Sequence, residues 1–352
     1  MNTTVKIGNR EIGEGNAAYI VAEIGINHNG DMELAHRTIR AAKKAGADAV
    51  KFQNYRTEDF IIDRNITHTY VSNGKKVTES QYEMFKRYEL QDEQLAKLAE
   101  FCRDTGIDFH STPTNKEGVA LLQSLGVGVF KNGSDYLGNL PLIEAMGETG
   151  LPVVLSTGMA TVSEIDDAVR TVRATGNDKI VLLYCVSQYP APLEEIHLGN
   201  ISLFRNRFHC LIGFSDHTEN NLASVIAVSQ GACWIEKHFT LDRNLPGPDH
   251  AFSANPEKLE GLVGAVRNAE KMLRYQDYEH LSEQEMKSRL NYKLSCSAAG
   301  DLPAGTILTV ADIAFFRPGT GIPPAEYKSL IGRRLNVSLT HGQIIKPQYL
   351  DE

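Results

Sequence analysis

The sequence has no apolar run long enough to cross a membrane and no excess of positive charge. No window reaches about 18 consecutive apolar residues, and Met1–Lys6 lacks the apolar segment of a secretory signal, so we expect a cytoplasmic protein with no membrane partner. Asp and Glu (44) outnumber Lys and Arg (36), and the formal net charge is −8. This balance argues against nucleic acid as the main partner. It does not exclude a small anionic substrate, since a local group of lysines can still hold a phosphate.

Cysteine is also scarce. The chain has five cysteines, an odd number, and they are widely spaced at Cys102, Cys185, Cys210, Cys233 and Cys296. Neither a disulfide framework nor a zinc cluster has this spacing. The pattern is typical of reduced thiols in a cytosolic protein.

Eight short apolar runs alternate with segments of helical pattern across about 260 residues. The runs cover residues 19–25, 48–53, 107–111, 127–131, 152–156, 180–185, 210–214 and 233–238. This count predicts the α/β class and a (β/α)8 barrel within residues 1–280. A doubly wound open sheet is the alternative, but it usually has fewer strands, and no glycine-rich phosphate motif follows the first run.

Three segments depart from the barrel rhythm. Residues 4–13 alternate around a Gly-Asn pair and predict a small hairpin. Residues 54–90 are too long for a simple turn, and they are either a loop that covers an active site or a solvated insertion. A linker helix is predicted at 281–290, followed at 291–352 by a small β-rich domain that we expect to need a packing partner.

Polar side chains follow the predicted strands at the points where they end. Because the carboxyl ends of barrel strands meet at one face, we expect these residues to share a site. They are Glu23, Lys51, Gln53, Thr112, Lys131, Ser134, Ser156, Ser187, Tyr189 and Ser215. Lysines and hydroxyls that converge on one rim favour a phosphorylated carboxylic acid as substrate over a structural cluster.

His217 and His238 end the last two strand runs and could bind one divalent metal with open coordination positions. Either histidine taken alone is more often a hydrogen-bonded residue of the barrel rim. Glu23 and Glu236 could hold a water molecule nearby. A lysine at a strand end is also compatible with a Schiff-base aldolase, although two lysines among so many hydroxyls argue for anion binding.

Several motifs resemble those of the sialic acid synthase family. They are Ala22-Glu-Ile-Gly-Ile-Asn-His-Asn-Gly30, Ala49-Val-Lys-Phe-Gln53, Leu155-Ser-Thr-Gly-Met159, Gly213-Phe-Ser-Asp-His-Thr218, Glu236-Lys-His-Phe239 and Pro246-Gly-Pro-Asp249. The tail, with Arg317-Pro-Gly-Thr-Gly321, resembles the family's antifreeze-like (β-clip) domain. The resemblance implies a TIM barrel enzyme that condenses phosphoenolpyruvate, an N-acylated hexose and water to a nine-carbon 3-deoxy-ulosonic acid, with release of phosphate.

The resemblance also implies roles for individual residues. His217 and His238 match the ligands of Mn²⁺ or Mg²⁺, and Glu23, Lys51 and Lys131 match catalytic residues. The residues that match the family's phosphoenolpyruvate-binding residues are Lys51, Thr112, Lys131, Ser134, Ser156, Ser187 and Ser215. The residues that match the family's acceptor-sugar site are Gln53, Tyr189, Asp249 and Arg317, and Tyr136 stands at a further position of that site. Arg317 corresponds to an arginine that enters the barrel of the other subunit, which implies a domain-swapped homodimer.

One residue departs from the family pattern. Many members have a glutamate where this chain has Tyr136, and that glutamate is associated with the acceptor's hydroxyls. Tyr136 would suit a deoxygenated acceptor such as a 2,4-diacetamido-trideoxy-hexose, and N-acetylmannosamine is the alternative. A non-enzymatic hypothesis is a carbohydrate-binding or ice-binding protein with an inert barrel, but the lysines, hydroxyls and histidines at the strand ends argue against it.

Overall fold

The computed structural model describes residues 3–275 and 278–351. Its strands, in chain order, are β1 (Thr4–Ile7), β2 (Arg10–Gly13), β3 (Tyr19–Gly25), β4 (Ala49–Asn54), β5 (Thr67–Ser72), β6 (Lys75–Ser80), β7 (Asp108–Pro113), β8 (Phe130–Asn132), β9 (Val153–Ser156), β10 (Ile180–Cys185), β11 (Leu211–Asp216), β12 (Trp234–His238), β13 (Ser295–Ala298) and β14 (Ile313–Phe316).

The α-helices of the same residues are α1 (Met32–Lys44), α2 (Gln81–Tyr88), α3 (Asp92–Thr105), α4 (Lys116–Ser124), α5 (Leu140–Glu148), α6 (Val162–Ala174), α7 (Asn200–Phe208), α8 (Leu222–Ser229), α9 (Pro256–Met272) and α10 (Glu283–Tyr292). In the described part of the chain, no helix is long and apolar enough to cross a membrane. The chain forms two compact units, Met1–Arg274 and Tyr275–Glu352.

Eight parallel strands of the first unit form the barrel. Their order in the sheet is β7-β4-β3-β12-β11-β10-β9-β8, and β7 and β8 lie beside each other, so that the sheet is nearly closed. Each of the eight predicted runs overlaps one of these strands, and the barrel prediction is confirmed. The runs are continuous because barrel strands are buried on both faces: every residue of β3 and β10 is buried.

The antiparallel hairpin β1–β2 closes the amino-terminal end of the barrel, and the predicted hairpin is confirmed. Its side chains Val5, Ile7 and Ile12 are buried in one apolar cluster with Tyr19 and Trp234 of the barrel interior. Because apolar side chains fill the amino-terminal end of the barrel, a substrate can enter only at the carboxyl ends of the strands.

The long segment between β4 and α3 is ordered rather than a plain solvated loop. It contains the antiparallel hairpin β5–β6 and helix α2. Asn73 and Gly74 connect the two strands with positive φ angles of 50° and 72°, as a tight hairpin turn requires. The backbone N–H of Gly247 donates to Ser72 Oγ over 3.1 Å, which ties the hairpin to the loop after β12.

The second unit has few regular strands. β13 and β14 pair antiparallel, and other parts of the described tail meet only in isolated bridges, such as Ser297 with Ile344. Proline and glycine residues explain this, because proline lacks the N–H that a ladder needs. The unit nevertheless has its own apolar core, which includes Leu308, Leu335 and Ile345.

Candidate active site

A cavity of about 810 Å³ lies at the carboxyl ends of the barrel strands. It brings together all the site residues that the sequence predicts within the barrel. They are Glu23, Lys51, Gln53, Thr112, Lys131, Ser134, Tyr136, Ser156, Ser187, Tyr189, Ser215, His217, Glu236, His238 and Asp249. Arg317 belongs to the second unit, where it is exposed and its guanidinium lies 5.3 Å from the centre of the Tyr292 ring.

Two lysines and two glutamates form a buried charge cluster at the inner end of the cavity. Lys51 Nζ lies 2.5 Å from Glu23 Oε2 and 3.7 Å from Glu236 Oε1, and Lys131 Nζ lies 3.5 Å from the same Glu236 oxygen. Lys51 also donates to Thr112 Oγ1 over 3.1 Å. Strand pairing produces this arrangement, because Glu23 and Lys51 are direct neighbours in the β3–β4 ladder.

The pKa values of these four charged groups are shifted in different directions. Burial raises the pKa of Glu23 to about 7, and the attraction of Lys51 offsets this only in part. Burial lowers the pKa of Lys131. Burial would also lower the pKa of Lys51, but Glu23 and Glu236 outweigh it and raise this pKa. The Glu236 carboxyl has a lowered pKa because Lys131 and Lys51 outweigh its burial. Glu23 is therefore the group in this cluster that can hold or release a proton near neutral pH.

Hydroxyl groups line the cavity next to the lysines. Ser134 Oγ donates to Ser156 Oγ over 3.0 Å and accepts from the backbone N–H of Gly158 over 3.1 Å. A side chain at position 158 has no room, because a Cβ there would lie 2.2 Å from Ser187 Oγ and 2.8 Å from Ser134 Oγ. Glycine at the end of β9 thus allows three serines and a backbone amide to crowd around one point, as an anion site requires.

The two histidines face each other across the same cavity, with ring centroids 5.5 Å apart. His217 Nδ1 lies 2.7 Å from the Val186 carbonyl oxygen, which can only accept, so Nδ1 carries a hydrogen. Burial would lower the pKa of His217, but hydrogen bonding to Cys185 outweighs it and raises this pKa, so Nε2 has a lone pair only when the ring is deprotonated. His238 Nδ1 is buried without a hydrogen-bond partner, 3.8 Å from Asp249 Oδ2. Burial and the nearby His217 lower the pKa of His238, which keeps this imidazole neutral.

These donor atoms fit a divalent ion that needs open coordination positions. The lone pair of His217 Nε2 and the unpartnered Nδ1 of His238 are nitrogen atoms to which a metal or a ligand could bind. In residues 3–275 and 278–351, no group of three or more histidine, cysteine, aspartate or glutamate residues is placed to hold a metal. The protein thus offers two imidazoles, and water or substrate would have to complete the coordination.

The outer part of the cavity is aromatic and apolar. We call the group Tyr55, Phe60, Tyr70, Met84 and Phe85 the outer wall. The rings of Tyr55, Phe60 and Phe85 pack edge to face, with centroids 5.2 to 5.6 Å apart. Both tyrosine hydroxyls are already used: Tyr55 donates to the Phe85 carbonyl, and Tyr70 donates to Glu79. The outer wall therefore presents rings and methylene groups rather than free donors.

Comparison with known proteins shows the family to which the chain belongs. The profile of the NeuB family matches residues 38–278, and that of the SAF domain matches residues 297–350. The chain belongs to the NeuB family. This membership confirms the predicted resemblance to sialic acid synthases and to their antifreeze-like tail. It identifies the protein as an enzyme of this kind and argues against an inert barrel.

Relatives of this NeuB family chain are named as synthases of three different acids. The N,N'-diacetyllegionaminic acid synthase of Legionella pneumophila is 37% identical over 344 residues, covering 96% of each chain. The pseudaminic acid synthase of Helicobacter pylori is 32% identical over 315 residues, covering 90% of this chain and 92% of that one. The crystal structure of an N-acetylneuraminic acid synthetase from Leptospira borgpetersenii has a TM-score of 0.72 and 33% identity, covering 81% of this chain and 96% of that one.

The sequence analysis did not assign a role to every residue of this cavity. Cys185 ends β10, and its sulfur lies 3.9 Å from His217 Nδ1. Burial would raise the pKa of this thiol, but hydrogen bonding to His217 outweighs it and lowers the pKa to about 7. Its position at a strand end, like that of Ser156, was a signal that could have identified it. Phe252, which packs against Tyr189 and His238, had no such signal.

Proposed function

We propose that this chain condenses phosphoenolpyruvate with an N-acylated hexose and water to give a nine-carbon 3-deoxy-ulosonic acid and phosphate. The observation that carries the proposal is the placement of Lys51 and Lys131, both buried, in one cavity with a cluster of hydroxyls and with the pair His217 and His238. The lysines and hydroxyls suit an acid that bears both a phosphate and a carboxylate. The two histidines would hold a metal ion that makes an aldehyde more electrophilic.

Phosphoenolpyruvate would bind at the inner end of the cavity. Its phosphate and carboxylate would take hydrogen bonds from the ammonium groups of Lys51 and Lys131 and from the hydroxyls of Thr112, Ser134, Ser156, Ser187 and Ser215. Both lysines are about 2 to 4% exposed, so their attraction for an anion is little weakened by water. Buried ammonium groups of this kind stabilise negative charge as the phosphate leaves.

The aldehyde of the open-chain sugar would lie at His217 and His238. These two imidazoles would hold a divalent ion, which when bound supplies Lewis-acid polarisation of the sugar carbonyl. The rings are held in place from several sides: Tyr189 packs on His217 at 4.2 Å between ring centroids, and Phe252 packs on His238 at 5.2 Å. Asp249, with an oxygen 3.8 Å from His238 Nδ1, would bind a sugar hydroxyl.

Glu23 would act as the general base for the attacking water. The C2–C3 π electrons of phosphoenolpyruvate form the bond from C3 to C1 of the sugar, and the π bond of the aldehyde breaks to leave an alkoxide on its oxygen. Water adds to C2, where positive charge develops. The proton that this water loses finally neutralises the alkoxide. Glu23 lies beside Lys51 at the inner end of the cavity, and its carboxylate would accept the proton from this water. The tetrahedral C2 then loses phosphate by cleavage of its C–O bond, while Lys51 and Lys131 stabilise the leaving group.

The outer wall favours an acceptor that lacks hydroxyls at its far end. With C1 at the histidines and phosphoenolpyruvate at the lysines, the rest of the sugar would extend toward Tyr136 and the outer wall. Tyr136 lines the cavity, and its pKa is raised to about 12, chiefly by burial, so it remains a neutral phenol. We propose a 2,4-diacetamido-trideoxy-hexose, whose methyl groups would pack on the outer wall without leaving polar groups unpaired.

An assay of phosphate release with different acceptors tests this assignment. We expect kcat/KM for a 2,4-diacetamido-trideoxy-hexose to exceed that for N-acetylmannosamine by about tenfold or more, since each buried hydroxyl without a partner costs about 1–3 kcal/mol. Tyr136→Glu should reduce this preference by favouring the hydroxylated sugar. The matched variant Tyr136→Phe should keep it. Equal rates with both sugars in the unaltered chain would contradict the role of Tyr136 and the outer wall.

A Schiff-base aldolase is the second candidate, and one observation favours it. Burial lowers the pKa of Lys131, and a lysine that forms an imine must reach its neutral amine. Yet Lys131 Nζ donates to the carbonyl of Asn132 over 3.1 Å and lies 3.5 Å from Glu236, which holds the ammonium form in place. Anion binding accounts for both contacts, so we favour the synthase.

Arg317 is proposed to complete the acceptor site of a partner subunit in a domain-swapped homodimer. It is exposed, and so its guanidinium is available to bind a sugar's N-acyl oxygen. We expect Arg317→Ala to raise the acceptor KM about tenfold or more, while the KM for phosphoenolpyruvate stays within about twofold. Steady-state kinetics with each substrate varied in turn measures this. Arg334→Ala, also in the second unit, is the control, and an unchanged acceptor KM in Arg317→Ala would contradict the swap.

A further inference from the structure

A buried ion pair joins the two strands that carry His217 and His238. Asp216 and Lys237 are direct neighbours in the parallel β11–β12 ladder, each next in sequence to one of the histidines. Lys237 Nζ lies 3.0 Å from Asp216 Oδ2, and the two side chains are 4% and 0% exposed. Because side chains alternate along a strand, this pair points away from the cavity, toward the helical layer.

The contacts of Lys237 reach across to the segment that follows His217. Its ammonium donates to the carbonyl of Thr218 over 2.7 Å and to that of Asn220 over 3.3 Å. A side chain of the His238 strand therefore fixes the backbone on the far side of His217. The ammonium has no other role in the cavity, since it does not line it.

The carboxylate of Asp216 is fully used by the same segment and by α8. Its Oδ1 accepts from the N–H and the hydroxyl of Thr218 over 2.8 and 2.7 Å. Its Oδ2 accepts from the Ser224 hydroxyl over 2.5 Å. These three donors tie Asp216 to the segment that follows His217 and to α8, and the ion pair links both to the His238 strand.

We infer that Asp216 and Lys237 are positioning residues that set the spacing of His217 and His238 for a divalent ion. The inference rests on the metal role of the two histidines given in the proposed function. A site with only two protein ligands has no third ligand to fix their separation, which is 5.5 Å between ring centroids. The ion pair supplies that restraint from behind the strands. Buried ion pairs add little net stability, and fixing register is a role they are known to serve.

Mn²⁺ titration of the metal-free full-length protein, followed by the electron paramagnetic resonance signal of free Mn²⁺, tests the inference. We expect Lys237→Met to weaken Mn²⁺ binding by about 10- to 100-fold, the usual effect of altering groups that support metal ligands. The double variant Asp216→Asn/Lys237→Met removes both charges and leaves no unpaired buried ion. It should recover most of any lost thermal stability while its Mn²⁺ affinity stays low.

Arg267→Met is the matched control. Arg267 forms an ion pair with Asp48 and Glu270 at the opposite end of the barrel, so its loss should lower stability without changing Mn²⁺ affinity. Normal Mn²⁺ affinity in the double variant would overturn the inference, provided that His217→Ala/His238→Ala has lost binding. Failure of the unaltered protein to bind Mn²⁺ would instead overturn the metal role itself, and the inference with it.

Discussion

The variant His217→Ala/His238→Ala is expected to lose Mn²⁺ binding and at least about a thousandfold in turnover. The two rings face each other in the cavity, and among the described residues no group of three or more histidine, cysteine, aspartate or glutamate side chains is placed to hold a metal without them. Phosphate release at saturating substrates measures turnover, and titration with Mn²⁺ measures the site. Phosphoenolpyruvate binding should change by less than about threefold, because both lysines and the hydroxyls remain.

A matched histidine outside the cavity provides the control. His36 stacks on Phe101 on the outer side of the barrel, with ring centroids 4.1 Å apart, and His36→Ala makes the same substitution there. We expect it to keep turnover and Mn²⁺ binding. Chelation of the unaltered protein should abolish phosphate release, and added Mn²⁺ should restore it. Turnover and metal binding that survive in the double variant would show that the site is assigned to the wrong residues.

The barrel could be predicted because its strands carry a strong local signal. A strand that is buried on both faces appears as an apolar run, unbroken in Ile180–Cys185 and interrupted only by Glu23 in Tyr19–Gly25. The polar residues of the inner cavity were predicted for a related reason. Barrel geometry places all strand ends at one face, so Lys51, Lys131 and His238 could be brought together without knowledge of any contact between them.

The outer wall could not be predicted in this way. Tyr55 and Phe85 are 30 residues apart, and their contact depends on how the hairpin β5–β6 and α2 fold back on the barrel. The Asn73-Gly74 turn was visible in the sequence, but a turn does not say which surface the hairpin covers. The tail shows the opposite limit: a β-rich domain was predicted there, yet apart from β13–β14 the strand pairing of its described residues consists of isolated bridges.

The Asp216–Lys237 pair was hidden for a different reason. Both residues stand inside motifs that were assigned to the histidines. Strand geometry alone places them on the opposite side from the histidines, but nothing in the sequence shows which residue of one strand stands beside which residue of the next. Only the β11–β12 register makes them partners. Motif reading thus found the residues that face the substrate, whereas the residues behind them needed the three-dimensional pairing.

Lys131→Met is expected to lower kcat/KM for phosphoenolpyruvate by about 100- to 1,000-fold, since removing one partner of a buried hydrogen-bonded charge pair costs about 2–5 kcal/mol. Methionine has a similar shape, so the loss reports the ammonium group rather than a cavity. The variant leaves Glu236 with only Lys51, 3.7 Å away. Adding Glu236→Gln should therefore restore thermal stability, but not the affinity for phosphoenolpyruvate.

Variants of Lys131 also distinguish the synthase from the Schiff-base aldolase. Lys179→Met, just before β10 at the opposite end of the barrel, is the control and should leave kinetics unchanged, because the Lys179 ammonium donates to the Gly150 carbonyl and does not line the cavity. Borohydride reduction in the presence of pyruvate should label neither Lys131 nor Lys51, because both act as cations. A covalent adduct at Lys131, or an unchanged kcat/KM in Lys131→Met, would contradict the synthase mechanism. The first of these results would establish the imine chemistry of an aldolase in its place.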